Sequence, residues 1–530
     1  MLLRRGVRRG KMTIWPVSRV TDARAKKKEA DMAAADSTEG RQETGRIDAA
    51  DPGLARGAIG LREVLFQSVT SMAPAGAVAL SIAVGAGYAG GALPLAVLLA
   101  LIACLLVATS IGQLAKHLPS AGSIYTYPAE ALHPAIGFLV GWGYGLVEAL
   151  IGPTTTVLVG YLVGSVLHSE FDWPFTATWI VVMIAAALLI ALLNYRGVRI
   201  SAQVGTVLGL FEILVFLVLA CWLVVKAGTV NTGSVFTLHF AKVEGYQGFS
   251  GVAAASIYTI LAFIGFEAAA PLAEEARNPR RTIPVAVVAS CCAIGVFYVF
   301  TTYAGDVYFG PDRYVSFGEL GDGSPWVALA RDVWGIGWVL AFLAILNSTF
   351  ANGNAGTLAT TRTWYAMSRI GLLPAALART HPRWNSPHVG VIVQLLVTLA
   401  VGLPIGIHFG PSAAFVLLAT MLSGVMIAVY MVFNLSCTMY YLRRQRAEFN
   451  WLLHLVIPVL GIAAFVPAWL TAMGIGTSVL KFITPLTYPS SAAGLIIGIW
   501  YVIGILVLGY LRVRHPDRLP QMRRVFADES

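Results

Sequence analysis

Charge is scarce in this sequence. Only 12% of its residues are Asp, Glu, Lys or Arg, about half the share that a soluble domain carries. Cysteine is equally sparse: Cys104, Cys221, Cys291, Cys292 and Cys437 all fall inside apolar runs. None has a CxxC or Cys/His partner at zinc-ligand spacing, and none sits in a loop that could build a disulfide framework. Those absences exclude a disulfide-stapled fold and a cysteine metal site, and the expected role is that of small buried hydrophobes. No metal and no cofactor is expected. The N-terminal segment has no apolar core long enough for a signal peptide. The formal charge of +10 is carried by tails and short loops, a pattern of topology signals rather than of a phosphate-binding face.

What fills the sequence instead is apolar. Of 530 residues 57% are hydrophobic, in runs that recur from about residue 64 onward. A spanning helix needs about 20 mostly apolar residues. Twelve segments qualify. The first six are Val64–Tyr88, Leu93–Ala115, Ala135–Leu167, Trp173–Leu193, Ile200–Val225 and Phe249–Leu272. The others are Ile283–Val307, Val327–Phe350, Val389–Ile407, Ala413–Tyr441, Leu452–Met473 and Ala492–Leu511. Lipid leaves backbone groups no water to bond, so such spans are helices. The predicted fold is an all-α polytopic membrane protein with twelve transmembrane helices, the third long enough to lie tilted.

Threading these spans with the N-terminus in the cytoplasm puts eighteen Lys or Arg in inner loops and the C-terminal tail, among them Arg196, Arg199, Arg280, Arg369 and Arg443. Five fall outside: Lys226, Lys242, Arg313, Arg331 and Lys481. The positive-inside rule therefore predicts two cytoplasmic termini. Residues 1–60, basic and without apolar periodicity, read as a disordered cytoplasmic tail, and Met12 or Met32 would serve equally as the start. The expected organisation continues with a transport core at 61–445, two further spans at 446–514 and a cytoplasmic tail at 515–530.

Two spans are interrupted at mid-depth. The first carries Ala73-Pro74-Ala75-Gly76-Ala77, and the sixth carries Ala262-Phe263-Ile264-Gly265-Phe266-Glu267. Proline removes a backbone donor and glycine loosens a helix. Freed groups survive in a membrane only against protein or a water-filled cavity. Either break alone reads as an ordinary kink or packing contact. Together, at the first helix of each five-helix half, they point to a transporter's central site.

Three separated stretches carry a family resemblance: Leu118-Pro119-Ser120-Ala121-Gly122-Ser123-Ile124-Tyr125, then Phe263 to Glu267 with Glu274-Glu275 and Asn278-Pro279-Arg280-Arg281, then Arg362-Thr363-Trp364-Tyr365-Ala366-Met367-Ser368-Arg369 closing on Gly371-Leu372-Leu373-Pro374. Over residues 60 to 445 the chain resembles amino acid permeases of the amino acid–polyamine–organocation superfamily. The resemblance implies a fold of two inverted five-helix repeats plus two helices, like bacterial leucine transporters, with helices one and six broken. It also implies secondary transport of amino acids or related amines, not enzymatic turnover. Departures are Ala73–Ala77 in place of a Gly-X-Gly turn, Ile370 in place of an acid, and Leu261 where some relatives carry a gating tryptophan.

An amino acid in a low-dielectric site needs donors for its carboxylate and acceptors for its ammonium. No lysine or arginine lies at mid-depth, so backbone N–H groups must hold the carboxylate, and an opened helix supplies them. That role falls to Ala73, Pro74, Ala75, Gly76 and Ala77. Carbonyls near Phe263, Ile264 and Gly265 would take the ammonium, as in the transporters that this chain resembles. Leu261, Phe263 and Phe266 are candidate gates, or packing.

Three acids are read as lying within spans, Glu148, Glu212 and Glu267, and intramembrane acids are functional candidates. Glu267 belongs to the family motif and could equally bond the backbone that the breaks leave open. Glu212 falls where proton-coupled members of the superfamily often carry a lysine, so it could carry a proton or simply bond a neighbouring helix. Glu148 could share a proton with Glu212 or bond a hydroxyl of span four or ten. Ser348 and Thr349 could contact a cation near the first helix.

The expected function is an amino acid permease of the cell membrane working by alternating access, with a proton as coupling ion or by exchange. An amine or polyamine carrier of the same fold is the alternative, since mid-membrane acids without bases suit a cation. A membrane enzyme or nutrient sensor fits less well: His117, His133, His381 and His388 lack ligand-spaced partners, and the tails are short. Neither a nucleic acid nor the basic motif of a major-facilitator carrier has a place in the pattern.

Overall fold

The computed structural model describes residues 59–120, 122–197, 202–369, 371, 373–480 and 483–515. The expected tails fall outside these apart from residues 59, 60 and 515, as do Ala121, Arg199, Ile370, Leu372, Lys481 and the side chain of Glu274. The described chain is helical, and its only β contact is one isolated parallel bridge between Ile59 and Ala276.

Twelve helices are long and apolar enough to cross a membrane. They are Leu61–Ile82, Ala86–His117, Pro134–Phe171, Phe175–Tyr195, Gly205–Val230, Phe249–Ala273, Pro279–Phe309, Pro325–Arg369, His388–Phe409, Pro411–Arg443, Leu452–Ala472 and Ser490–Arg514. Each overlaps one of the expected spans, and most run further because polar turns extend them past the apolar window. The eighth differs most. A ten-residue helix, Pro325–Trp334, stops at Gly335 with φ +56°, and the long helix Trp338–Arg369 starts after it. Hydropathy averaging fuses the two, because Trp334-Gly335-Ile336-Gly337 is nearly as apolar as its flanks.

Burial sorts the helices into an inner and an outer set. The first, third, sixth and tenth spans are 72–78% buried over their most apolar window, against 28–33% for the fourth, ninth and twelfth. The outer set exposes Leu188, Leu192, Leu396, Leu495, Ile499 and Leu506. In water such faces would drive aggregation, whereas lipid solvates them. The chain is therefore a multi-pass membrane protein. Cys104, Cys291 and Cys437 are buried, but Cys221 and Cys292 lie on exposed helix faces, contrary to the expectation that all five fill the core. Helix periodicity, not local apolarity, decides which face a residue takes.

The twelfth span is pinned to the third by a reciprocal tryptophan pair. The Trp142 indole N–H donates to the Trp500 carbonyl at 2.9 Å and the Trp500 N–H donates to the Trp142 carbonyl at 3.0 Å. Their rings stack at 4.8 Å. Each indole thereby satisfies its one donor, as a partly buried indole should.

Candidate functional site

The helix Leu61–Met72 ends at Ala73, whose left-handed backbone (φ 46°, ψ 67°) lets its N–H turn back onto the Thr70 carbonyl. Left-handed geometry costs a side-chain-bearing residue about 1 kcal/mol or more. The chain becomes helical again at Pro74, which has no N–H to lose and suits a first helical position. The Ala75 and Gly76 amides therefore begin a helix with no carbonyl to accept them among the described residues. Ala73 to Ala77 are all buried. Gly76 is fixed by a neighbour: a Cβ there would stand 2.9 Å from Thr349 Oγ1 and 3.4 Å from Ser348 Oγ.

In the sixth span the helix Phe249–Phe263 ends where Ile264 turns extended (ψ 123°) and Gly265 takes φ +120°. A tighter helix, Phe266–Glu274, follows. No donor among the described residues reaches the carbonyls of Phe263 and Ile264. The two interruptions face each other. A Cβ on Gly265 would lie 2.7 Å from the Ser71 carbonyl carbon, and Ser68 Oγ donates to the Phe266 carbonyl at 2.8 Å.

One residue joins both interruptions, and sequence reasoning passed over it. The Tyr298 hydroxyl, from the seventh span, lies 2.8 Å from the Met72 carbonyl and 3.0 Å from that of Ala262. It shares its single proton between carbonyls in the last turns of the helices Leu61–Met72 and Phe249–Phe263. A tyrosine within an apolar run carries no mark of such a reach. Asn352 adds a donor to the Ser71 carbonyl at 3.3 Å.

The acids have separate partners. Glu267 Oε2 accepts the Gly265 N–H at 3.0 Å and the Tyr430 hydroxyl at 2.9 Å, so it braces the backbone opened beside it. Glu148 Oε2 accepts the Thr360 hydroxyl at 3.1 Å, and Tyr144, one turn before, bonds the same carboxylate. The hydroxyl comes from the eighth span rather than the fourth or tenth. Glu212 is 3% exposed, faces Ser348, and its Oε2 has no hydrogen-bond partner. Glu148 and Glu212 are not brought together. Ser348 Oγ is likewise unpartnered, and Thr349 Oγ1 is turned to its own helix at Ile345. Among the candidate gates, Phe263 packs on Tyr298 and Phe266 on Tyr430, both wholly buried, while Leu261 is half-buried. A fourth buried acid, Asp306, lies in the last turn of the seventh span; it falls inside the expected segment Ile283–Val307, one residue from its end, and the count of three intramembrane acids left it out.

The arrangement offers unpaired amide donors on one helix and unpaired carbonyls on the other, with no buried lysine or arginine among the described residues. Such a site can bind a small zwitterion or a cation through backbone dipoles.

Comparison with known proteins adds the lineage. Residues 63–519 match the family described as amino acid permease. The low-affinity putrescine importer PlaP of Escherichia coli strain K12 is 29% identical over 344 residues, covering 62% of this chain and 72% of the importer. The branched-chain amino acid permease BcaP of Lactococcus lactis is 26% identical over 453 residues, covering 80% of this chain and 88% of that permease. The methylthioribose transporter of Bacillus subtilis is 26% identical over 368 residues, covering 66% and 75%.

Proposed function

We propose that this chain, which belongs to the amino acid permease family, carries amino acids across the cell membrane by alternating access, driven by proton symport. Its two termini lie in the cytoplasm, with residues 61–445 as an inverted-repeat core and 446–514 as two appended spans. The observation that carries the reading is the pair of facing interruptions, with unpaired Ala75 and Gly76 amides in one and unpaired Phe263 and Ile264 carbonyls in the other. A zwitterion needs donors for its carboxylate and acceptors for its ammonium, and among the described residues no buried basic side chain does the work instead. Glu212, buried, with its Oε2 unbonded and facing the first interruption's neighbour Ser348, is the coupling residue. A buried carboxylate with no cation beside it favours taking a proton, and gives it up when water reaches it.

An amine carrier is the second reading, favoured by the buried acids and by a relative that imports putrescine. Purified protein in proteoliposomes, given labelled amino acids and diamines across an imposed proton gradient, separates the two. Accumulation of an amino acid, lost in Glu212→Gln with exchange retained, is the expected result. Accumulation of amines alone, or full gradient-driven uptake by Glu212→Gln, would overturn the substrate or the coupling respectively.

A further inference from the structure

Asp306 is 0% exposed, and neither of its carboxylate oxygens has a hydrogen-bond partner. Thr302, one helical turn earlier, is 1% exposed and its hydroxyl is also unpartnered. The same holds for Ser324 Oγ and Trp326 Nε1 in the segment that covers this end of the seventh span. Four unsatisfied buried polar side chains in one neighbourhood are far outside the usual pattern, in which buried polar atoms find partners. Among the described residues no cation neutralises the acid. Arg331 pairs with Glu170, Arg313 Nε donates to the Phe309 carbonyl, and the Asp332 carboxylate accepts the Tyr308 hydroxyl. Asp312, Arg313, Glu319, Arg331 and Asp332 of the covering segments are exposed. The described groups that do face this end are Tyr314, within electrostatic reach of Asp306, and Trp326, against which Gly305 packs. From the fifth span comes Phe216, whose ring lies 5.4 Å from Trp326.

Asp306 and Thr302 continue a line. Tyr298, Thr302 and Asp306 are four residues apart and share one helix face. At the inner end of that line the Tyr298 hydroxyl is within electrostatic reach of Glu212, which sits one turn before Phe216 on the fifth span. The column thus runs from beneath the covering loop to the acid beside the first interruption, with Tyr298 bonded to the Met72 and Ala262 carbonyls on the way.

We infer that Asp306 is the outer proton-loading group, taking a proton from the medium beyond the Gly310–Ser324 loop and passing it along Thr302 and Tyr298 to Glu212. The proton binds one Asp306 oxygen, and the hydroxyls and the water between successive turns relay it; Tyr298 turns its O–H from the Met72 and Ala262 carbonyls to Glu212 as its oxygen takes the incoming proton. One O–H bond forms for each that breaks, and Glu212 Oε2 ends as the acid. Turns are about 5–6 Å apart on one helix face, a gap that a single bridging water closes. The inference rests on Glu212 as the coupling residue and on cytoplasmic termini, which put this loop outside.

The test uses the full chain in proteoliposomes and compares gradient-driven accumulation with substrate exchange at equal pH. For Asp306→Asn, accumulation should fall by about 5- to 150-fold, the range of an ordinary coupling free energy. Its dependence on pH at the loop side should flatten, while exchange stays near wild type. Thr302→Val leaves the acid in place and interrupts only the relay, so it should lower accumulation in the same direction even where Asp306→Asn fails to fold. Wild-type accumulation and pH dependence in Thr302→Val and in any folded Asp306→Asn would overturn the loading role. Sodium-dependent uptake whose sodium dependence disappears in Asp306→Asn would overturn it in favour of a metal-cation site. Unchanged accumulation in Glu212→Gln would instead defeat the coupling reading, with Asp306 still scored by its own variant.

Discussion

Gly265→Ala should disable the protein, and the structure gives the size of the effect. Gly265 adopts φ +120°, a region that a residue with a Cβ enters at a cost of about 1–3 kcal/mol. The added methyl would also stand 2.7 Å from the Ser71 carbonyl carbon and 2.8 Å from its Cβ and its oxygen. Those are mostly backbone atoms, so no rotamer change relieves them, and overpacking of this kind costs about 1–3 kcal/mol more. Together the substitution should destabilise by about 2–6 kcal/mol, a large fraction of an ordinary folding free energy. Gly145→Ala is the control: its Cβ would meet nothing within 4 Å in a continuous helix, and it should be neutral or slightly stabilising. Thermal unfolding of the purified proteins, with substrate uptake alongside, reads both effects. Ser71→Gly added to Gly265→Ala should restore only part of the loss, because the backbone contact remains. A Gly265→Ala protein that melts with the Gly145→Ala control and transports normally would refute the account of the sixth-span interruption.

Tyr298→Phe keeps the ring against Phe263 but strips the hydroxyl from two buried carbonyls. It should cost about 1–3 kcal/mol in thermal unfolding and weaken substrate binding measured by ligand-induced stabilisation. Unchanged melting and binding would mean that the hydroxyl is not what holds the interruptions. Trp500→Ala loses one indole hydrogen bond and the ring stack at Trp142, and should cost about 1–3 kcal/mol. Its uptake should keep the wild-type KM, since the indole hydrogen bonds of the pair run to each other's carbonyls and to neither interruption. Loss of uptake without loss of stability would contradict that purely anchoring role.

The twelve spans were legible because a membrane forces each crossing into one long apolar helix, so composition and length decide together. The eighth starts close to where it is expected, but its break at Gly335–Gly337 was not legible, since two glycines bend an apolar stretch without lowering its hydropathy. Ala73, Pro74 and Gly265 were legible as places of unusual backbone, since proline and glycine advertise themselves in any sequence. The partners of those places were not. Tyr298 reaches Met72 and Ala262 across 226 and 36 residues of sequence, and nothing local distinguishes it from a tyrosine that merely fills space. The unpaired state of Glu212 and Asp306 is likewise a property of what surrounds them in three dimensions, which residue identity does not encode.

The parallel bridge at Ile59 looks minor until its position is considered. The Ile59 N–H donates to the Glu275 carbonyl at 3.1 Å and the Ile59 carbonyl accepts the Arg277 N–H at 2.8 Å. Ser68 is bonded to Phe266 further along, and Ser71 touches Gly265 beyond that. The half-helix before the first interruption is therefore riveted at three levels to the half after the second. Neither can swing as a separate flap without giving up backbone bonds. On the proposed reading the pair moves as one lever with its fulcrum at Ala73 and Gly265, and a substrate held between the two interruptions bears on that fulcrum from both sides at once.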